Sequence, residues 1–387
     1  MPSIDHSPVP WRTAVKIATG AATPLPPSVV PSSEATGRVL AAPVLARGDL
    51  PGFDASAMDG YAVAGRGPWR VLGQVYAGGP VWPAPLGAGE AVEIMTGAVV
   101  PAGTVAVLPY ETADLNAAGP GPKAHIRRAG EDARAGDELL PAGRLVTPAV
   151  AGLLAQAGAD SVTVHGRPTV RLVVTGDELV TAGVPGPGQV RDVFTPMVSA
   201  LVAAAGGVVT DAVLIGDEPE LLAAALTTAD ADVVVVTGSS SAGAADHLHG
   251  VLNGIGARRL VDQVACRPGR PQLLAELPGT RWVVGLPGNP FAGLVACVTV
   301  LGPLLHGLSG RAAPDLIRLP VTGDLRPAPG VTRLVPVRLA GDHALVVPGG
   351  RPASLRGAAL ADALAVLEDG WTTGIPADLI PLNGLNS

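Results

Sequence analysis

The chain has 387 residues, 48% of them hydrophobic but only 3% aromatic, with a formal net charge of −7. That length exceeds one core and predicts about two to four folding units built on small apolar residues. The negative charge argues against a nucleic-acid surface. No run of about 18 apolar residues is free of Gly, Pro or charge, and no apolar leader opens the chain, so neither membrane nor export is expected and the cytoplasm is the default. The 51 glycines and 39 prolines are spread throughout, as many turns between short elements would be. Cys266 and Cys297 have no CxxC spacing, so both are expected as buried small hydrophobes.

Taken in chain order, residues 1–22 predict an N-terminal helix packing on the main domain. Residues 23–42 and 133–167 are expected as a small linking module, with TPAVAGLLAQAGA as a helix. Between them, 43–132 carries short β-rich runs separated by Gly and Pro, which predicts an all-β insert. It opens with FDASAMDGYAV (53–63), where Asp54 and Asp59 sit among small residues after Pro51 and Gly52. Either the Asp-Gly makes a turn and Asp54 satisfies a backbone amide, or one carboxylate faces a ligand or metal ion.

Residues 168–311 alternate short apolar runs with amphipathic ones, the pattern of βαβ units in a doubly wound α/β domain. Strands are predicted at 170–174, 232–236 and 281–285, each broken by a polar loop: TGDE, TGSSSAG and LPGNP. Asp217 is a plausible N-cap for the helix EPELLAAALTTA, with Pro219 in its first turn. Because ligands of open α/β sheets bind beyond the carboxyl ends of the strands, all three loops are expected at one crevice. From 312 to 387 alternating segments predict a C-terminal β domain, interrupted by a bend or short helix in SLRGAALADALAVLEDG.

Each loop has two readings. In TGDEL, Thr175 and Asp177 either cap a turn, or Asp177 and Glu178 hold a hydrated Mg²⁺ beside phosphate oxygens. In TGSSSAGAAD, Gly238, Ser239, Ser240, Ser241 and Gly243 make either an anion nest or a plain surface loop, and Asp246 a cap or a metal ligand. RPGRP offers Arg267 and Arg270 as a cradle for an oxyanion, or as a solvated turn. In LPGNP, Asn289 reads as an N-cap before Pro290, leaving Gly288 open to close approach by a ligand. His247 and His249, two apart on a helix, point to different faces and do not form a metal pair.

In combination, FDASAMDGYAV, IMTGAVVPAGTVAVLPYE (94–111), GEDARAGDELLPAG (130–143), TGDEL, GQVRD (188–192), RPGRP and GLPGNP (285–290) occur in the order and spacing of the MoeA family. The chain resembles these molybdopterin molybdenumtransferases over essentially its whole length, up to PADLIPL (376–382), and the animal gephyrin E domain belongs to the same family. The resemblance implies an elongated four-domain homodimer with its active site between subunits. It also implies a Mg²⁺-dependent reaction in which adenylylated molybdopterin, supplied by an adenylyltransferase, and molybdate give molybdenum cofactor and AMP.

On that resemblance Asp59 and Thr96 would face the partner's crevice, and Asp132, Glu178, Asp217 and Asp246 would match other functional acidic positions. Thr175, Gly176 and Asp177, the serine loop from Gly238 and the Pro287-Gly288-Asn289 turn would hold the pterin adenylate. Arg267, Arg270 and Arg333 would meet molybdate, with Asp177, Glu178 and Asp246 at the metal. Departures from the family pattern are TGSSSAG for SGGVSVG, RPGRP for KPGKP, Gln263 at a commonly basic position, Val193 and Phe194 after Asp192, and Gly357 and Asp362. The alternative they suggest is a non-catalytic or regulatory paralogue that binds molybdopterin or a related nucleotide. A further reading is a similar transferase of another phosphorylated or adenylylated substrate, with a pocket enlarged or closed by Phe194.

Overall fold

The computed structural model describes residues 7–228, 230–238, 245–279, 281–325 and 328–382, the side chains of 245 and 246 excepted. The chain divides into two compact units. One comprises Met1–Ser28, Gly37–Ala41 and Thr163–Ser387; the other comprises Val29–Thr36 and Ala42–Val162.

The larger unit opens with helix α1 (Trp11–Ala21), whose Trp11, Ala14 and Ala18 are buried. Its centre is a six-stranded sheet of β1 (Thr169–Thr175), β2 (Val208–Ile215), β3 (Val233–Thr237), β4 (Arg258–Val261), β5 (Leu273–Leu277) and β6 (Arg281–Leu286), in the order β2-β1-β3-β6-β5-β4. β2, β1, β3 and β6 run parallel, and β5 is antiparallel to both its neighbours. Helices α2 (Phe194–Ala204), α3 (Pro219–Thr227), α4 (Ala245–Gly254) and α5 (Pro290–Ser309) connect and cover the strands.

The valine runs are explained by burial on both faces. Val233 and Val235 pack into one core with Phe194, Val198 and Phe291, while Val234 and Val236 pack into a second with Leu222, Leu248 and Leu252. Successive residues of a strand point to opposite faces, so a strand with helices on both sides is apolar at every position. α5 is long and apolar enough to cross a membrane, with a mean hydropathy of 1.9 over its most apolar 18 residues, yet 72% of that stretch is buried as the core helix of this unit. It contains a π turn at Cys297–Leu301.

Asp217 is not the N-cap of α3. Glu218 takes that position and makes no side-chain capping bond, which leaves Asp217 exposed one residue earlier. Residues 168–311 also do not share one sheet. Val264–Arg267 leaves the central sheet and pairs in parallel with Thr332–Ala340, because the turn after β4 redirects the chain toward the C-terminal strands. Those strands close on themselves: Thr332–Ala340, His343–Val346, Ile317–Thr322, Pro376–Pro381 and Ala363–Leu367 form a ring, completed by pairing of the first with the last. The short helix Arg356–Ala359 interrupts them. Its interior is a separate apolar cluster including Val321, Val337, Ala365 and Leu379.

In the second unit a four-stranded sheet orders Arg70–Val75, Glu90–Ile94, Gly60–Val63 and Ala106–Pro109. Helix Pro148–Gln156 is started by Thr147, whose hydroxyl accepts from the Val150 amide at 3.3 Å, with Pro148 in its first turn.

Candidate active site

The strand order reverses direction between β1 and β3, and a crevice opens there at their carboxyl ends. Thr175, the last residue of β1, donates its hydroxyl to the Thr237 carbonyl at 2.8 Å, which locks the two strand ends together. Gly238 follows with φ of +86°, and a Cβ there would lie 2.6 Å from the Thr175 carbonyl oxygen. Only glycine fits. A Cβ on Gly288, in the turn after β6, would lie 3.4 Å from Gly238 Cα, so the two loops pass close to each other.

The resulting cleft has a volume of about 460 Å³; its walls include Thr175, Gly176, Glu178, Asp217, Gly238, Pro287, Gly288 and Asn289 of the expected residues, together with Val190 and Arg191, which sequence reasoning did not assign to the site. Asn289 does occupy the N-cap of α5 with Pro290 after it, but its side chain makes no capping bond and lines the cleft. The Glu178 carboxylate folds over Gly176, where a built Cβ would lie 2.8 Å from Oε2. Asp177 turns toward the next loop, its Oδ1 3.0 Å from a Cβ on Gly216, the residue before Asp217. Thus two exposed carboxylates from two loops, Glu178 and Asp217, line the cleft, and Asp177 is exposed next to Glu178 in sequence.

Asp192 accepts from the amides of Phe194 and Thr195 at 2.8 and 3.1 Å and so starts α2. The Phe194 ring is buried against Gly293, where a Cβ would come within 2.3 Å of it, so it forms one wall without filling the cleft. Ser239, Ser240, Ser241 and Gly243 lie outside the described residues, as does the side chain of Asp246, which belongs to α4. Among the described residues no group of three His, Cys, Asp or Glu side chains is arranged to hold a metal. His249 instead shares a hydrogen bond of 2.5 Å with Asp262.

The arginine loop borders this cleft through Pro271. Pairing of Val264–Arg267 with Thr332–Ala340 sets Arg267 directly beside Arg333 in register. Burial and, after it, the Arg267 charge push the Arg333 pKa down. Arg270 donates from Nε to Gln263 Oε1 at 3.0 Å, and the loop between them is closed by the Val264 amide donating to the Arg270 carbonyl at 2.9 Å.

In the second unit Asp59 and Thr96 come together. Asp59 Oδ1 accepts from the Thr96 amide at 2.6 Å and from its hydroxyl at 2.8 Å. These two donors, the amide foremost, hold the exposed Asp59 carboxyl below its usual pKa. Gly60 is required beside it because a Cβ would lie 1.9 Å from the Leu108 carbonyl oxygen. Asp54 takes the structural role: it accepts from the Ala129 amide at 2.9 Å and from Arg128 at 2.6 Å. Asp132 is exposed on a separate segment, anchored by its amide to the Leu50 carbonyl. Sequence reasoning did not find Tyr110, which donates to Glu93 and meets Tyr61 edge-on with ring centroids 5.4 Å apart. The pairing of Tyr61 with Glu93 across strands is a register property, legible only once the sheet is known.

A doubly wound domain with a strand-end cleft, joined to a closed β domain that supplies arginines, defines a multidomain α/β protein built around one polar ligand site. Residues 171–307 match the model of a probable molybdopterin binding domain, and residues 9–158 match the MoeA N-terminal region, domains I and II. The chain is 36% identical over 296 residues to a molybdopterin molybdenumtransferase of Haemophilus influenzae, covering 72% of each chain. It is 36% identical over 313 residues to molybdopterin molybdenumtransferase 2 of Mycobacterium tuberculosis, covering 74% of this chain and 76% of the relative. Its fold superposes on a molybdopterin biosynthesis MoeA protein from Pyrococcus horikoshii with a TM-score of 0.78, at 25% identity, covering 98% of this chain and all of the other. The chain belongs to the MoeA family of molybdopterin molybdenumtransferases.

Proposed function

We propose that the protein inserts molybdate into adenylylated molybdopterin and releases AMP, acting as a molybdopterin molybdenumtransferase in molybdenum cofactor biosynthesis. The observation that carries this reading is the continuity of a glycine-lined strand-end cleft with a loop that sets Arg267 beside Arg333. A planar pterin with a phosphoanhydride needs close backbone approach, which Gly238 and Gly288 permit, and amide donors at a helix start. A tetrahedral dianion needs paired donors, which Arg267, Arg270 and Arg333 offer.

Glu178 and Asp217 line the cleft with hard carboxylate oxygens, the one or two carboxylates that a hydrated Mg²⁺ takes beside phosphate oxygens, and Asp177 is assigned to the same set from its sequence position. Asp246 is assigned to the same set from its sequence position. When bound, Mg²⁺ would neutralise the phosphoanhydride charge. Asp59, kept ionised by Thr96, serves as an acceptor that orients the attacking water rather than as a proton store. Water adds to one phosphorus of the phosphoanhydride and gives a proton to solvent, the bridging P–O bond breaks with its electron pair going to the leaving phosphate oxygen, and AMP is released. Asp132 completes the acidic set. In this reading Asp59 and Thr96 of one subunit serve the crevice of the other in a homodimer, and an adenylyltransferase supplies the substrate.

The test is to incubate the protein with adenylylated molybdopterin, molybdate and Mg²⁺ while following AMP and bound molybdenum. AMP release that requires molybdate is the expected result. Tight binding without AMP release would overturn it in favour of a non-catalytic carrier, a reading the transferase relatives do not favour.

A further inference from the structure

We infer that Gln263 is a positioning residue for Arg270, fixing which edge of its guanidinium meets the oxyanion substrate. The inference rests on the assignment of Arg270 to molybdate above. Arg270 is exposed at the end of the loop that begins at Gln263. An exposed arginine has a long, rotamer-rich side chain, and its planar group has two edges that can grip an oxyanion: Nε with one Nη, or the two Nη together. Gln263 Oε1 accepts from Arg270 Nε at 3.0 Å, so the first edge is occupied. The Nη pair is what remains to grip a tetrahedral dianion.

Gln263 can do this because its own backbone is held from both sides. The Val9 amide donates to the Gln263 carbonyl at 2.9 Å, and Val9 pairs with Val264 in the parallel strand Val9–Pro10. The Val264 amide in turn donates to the Arg270 carbonyl, and the Gln272 amide donates to that same oxygen at 3.0 Å. Main chain therefore fixes the two Cα atoms relative to each other, and the side-chain bond fixes the guanidinium on that frame. Glutamine suits the role better than a carboxylate, because it accepts from Nε without cancelling the positive charge that attracts the anion. It also suits it better than a cation, which would repel Arg270 and offer no acceptor.

The measurement is a double-mutant cycle with Gln263→Met, Arg270→Ala and the combined variant, read by equilibrium dialysis of molybdate and by the molybdate dependence of AMP release. Gln263→Met keeps the length and removes the acceptor. It is expected to weaken molybdate binding about tenfold, the scale of one charge-assisted hydrogen bond. The half-saturating molybdate should rise accordingly while the rate at saturating molybdate holds. The combined variant should be no worse than Arg270→Ala alone, since Gln263 acts only through Arg270. If Gln263→Met binds as wild type, or if its effect adds to that of Arg270→Ala, the positioning role is overturned while Arg270 keeps its place at the anion. If Arg270→Ala itself binds molybdate normally, it is the assignment of Arg270 to the substrate that fails.

Discussion

Asp59 is held by two donors from a single residue, the Thr96 amide and hydroxyl, and both lower its pKa, the amide more. A carboxyl with a depressed pKa in the folded state contributes stability above its unfolded pKa and loses it as pH falls through the folded value. Thr96→Val removes the hydroxyl and leaves the amide. The Asp59 carboxyl titration, followed by carbon NMR, should move up toward the ordinary aspartate range without reaching it. An unchanged titration would show that the hydroxyl bond is not made in solution. At the other site, Gly238→Ala forces a Cβ to 2.6 Å from backbone at a φ of +86°. The expected cost is about 2 kcal/mol or more, seen as a lowered denaturation midpoint together with weakened pterin binding. A variant of wild-type stability would mean that the Thr175 strand end yields easily.

A buried polar bond joins the N-terminal helix to α5. Trp11 Nε1 donates to Thr299 Oγ1 at 2.9 Å, and that hydroxyl donates to the Val295 carbonyl at 2.7 Å. Thr299 sits within the π turn, where the helix must accommodate Pro303, a residue with no amide to donate. Thr299→Val keeps the shape and strands the indole N–H. It should cost about 1–3 kcal/mol, measurable as a lower melting temperature with Trp11 fluorescence as a local reporter. Equal stability would place a water at that indole.

Individual elements differ in how far they could be read from sequence. The central strands were legible because burial on both faces writes continuous valine runs, and β1, β3 and β6 lie within a residue or two of their expected ends. The start of α3 was misassigned because Asp217 is the better N-cap by propensity, whereas the backbone path puts Glu218 at that position without a capping bond. Val264–Arg267 reads as any short strand. Nothing local says that its partner is Thr332–Ala340 rather than its neighbour in sequence.

For the whole molecule, the proposed homodimer with a site shared between subunits makes a quantitative prediction. Asp59→Ala and Arg267→Ala should each be inactive, one lacking the group given to the partner and the other lacking the group in its own crevice. Mixed in equal amounts and allowed to exchange, they form heterodimers in which one site carries both defects and the other none. Activity should recover to about a quarter of wild type, as the two-fold symmetry of such an interface requires. No recovery on verified exchange would mean that both residues act within one chain.

The motif residues and their order were set by the sequence alone, as was the alternation that makes a parallel sheet, because side-chain chemistry and periodicity are local properties of the chain. The close approach of Gly238 to Gly288, the pairing of Arg267 with Arg333, and the capture of Arg270 by Gln263 were decided by tertiary structure. Each depends on which strand lies next to which, and strand pairing is settled by the burial of whole faces rather than by the residues that end up side by side.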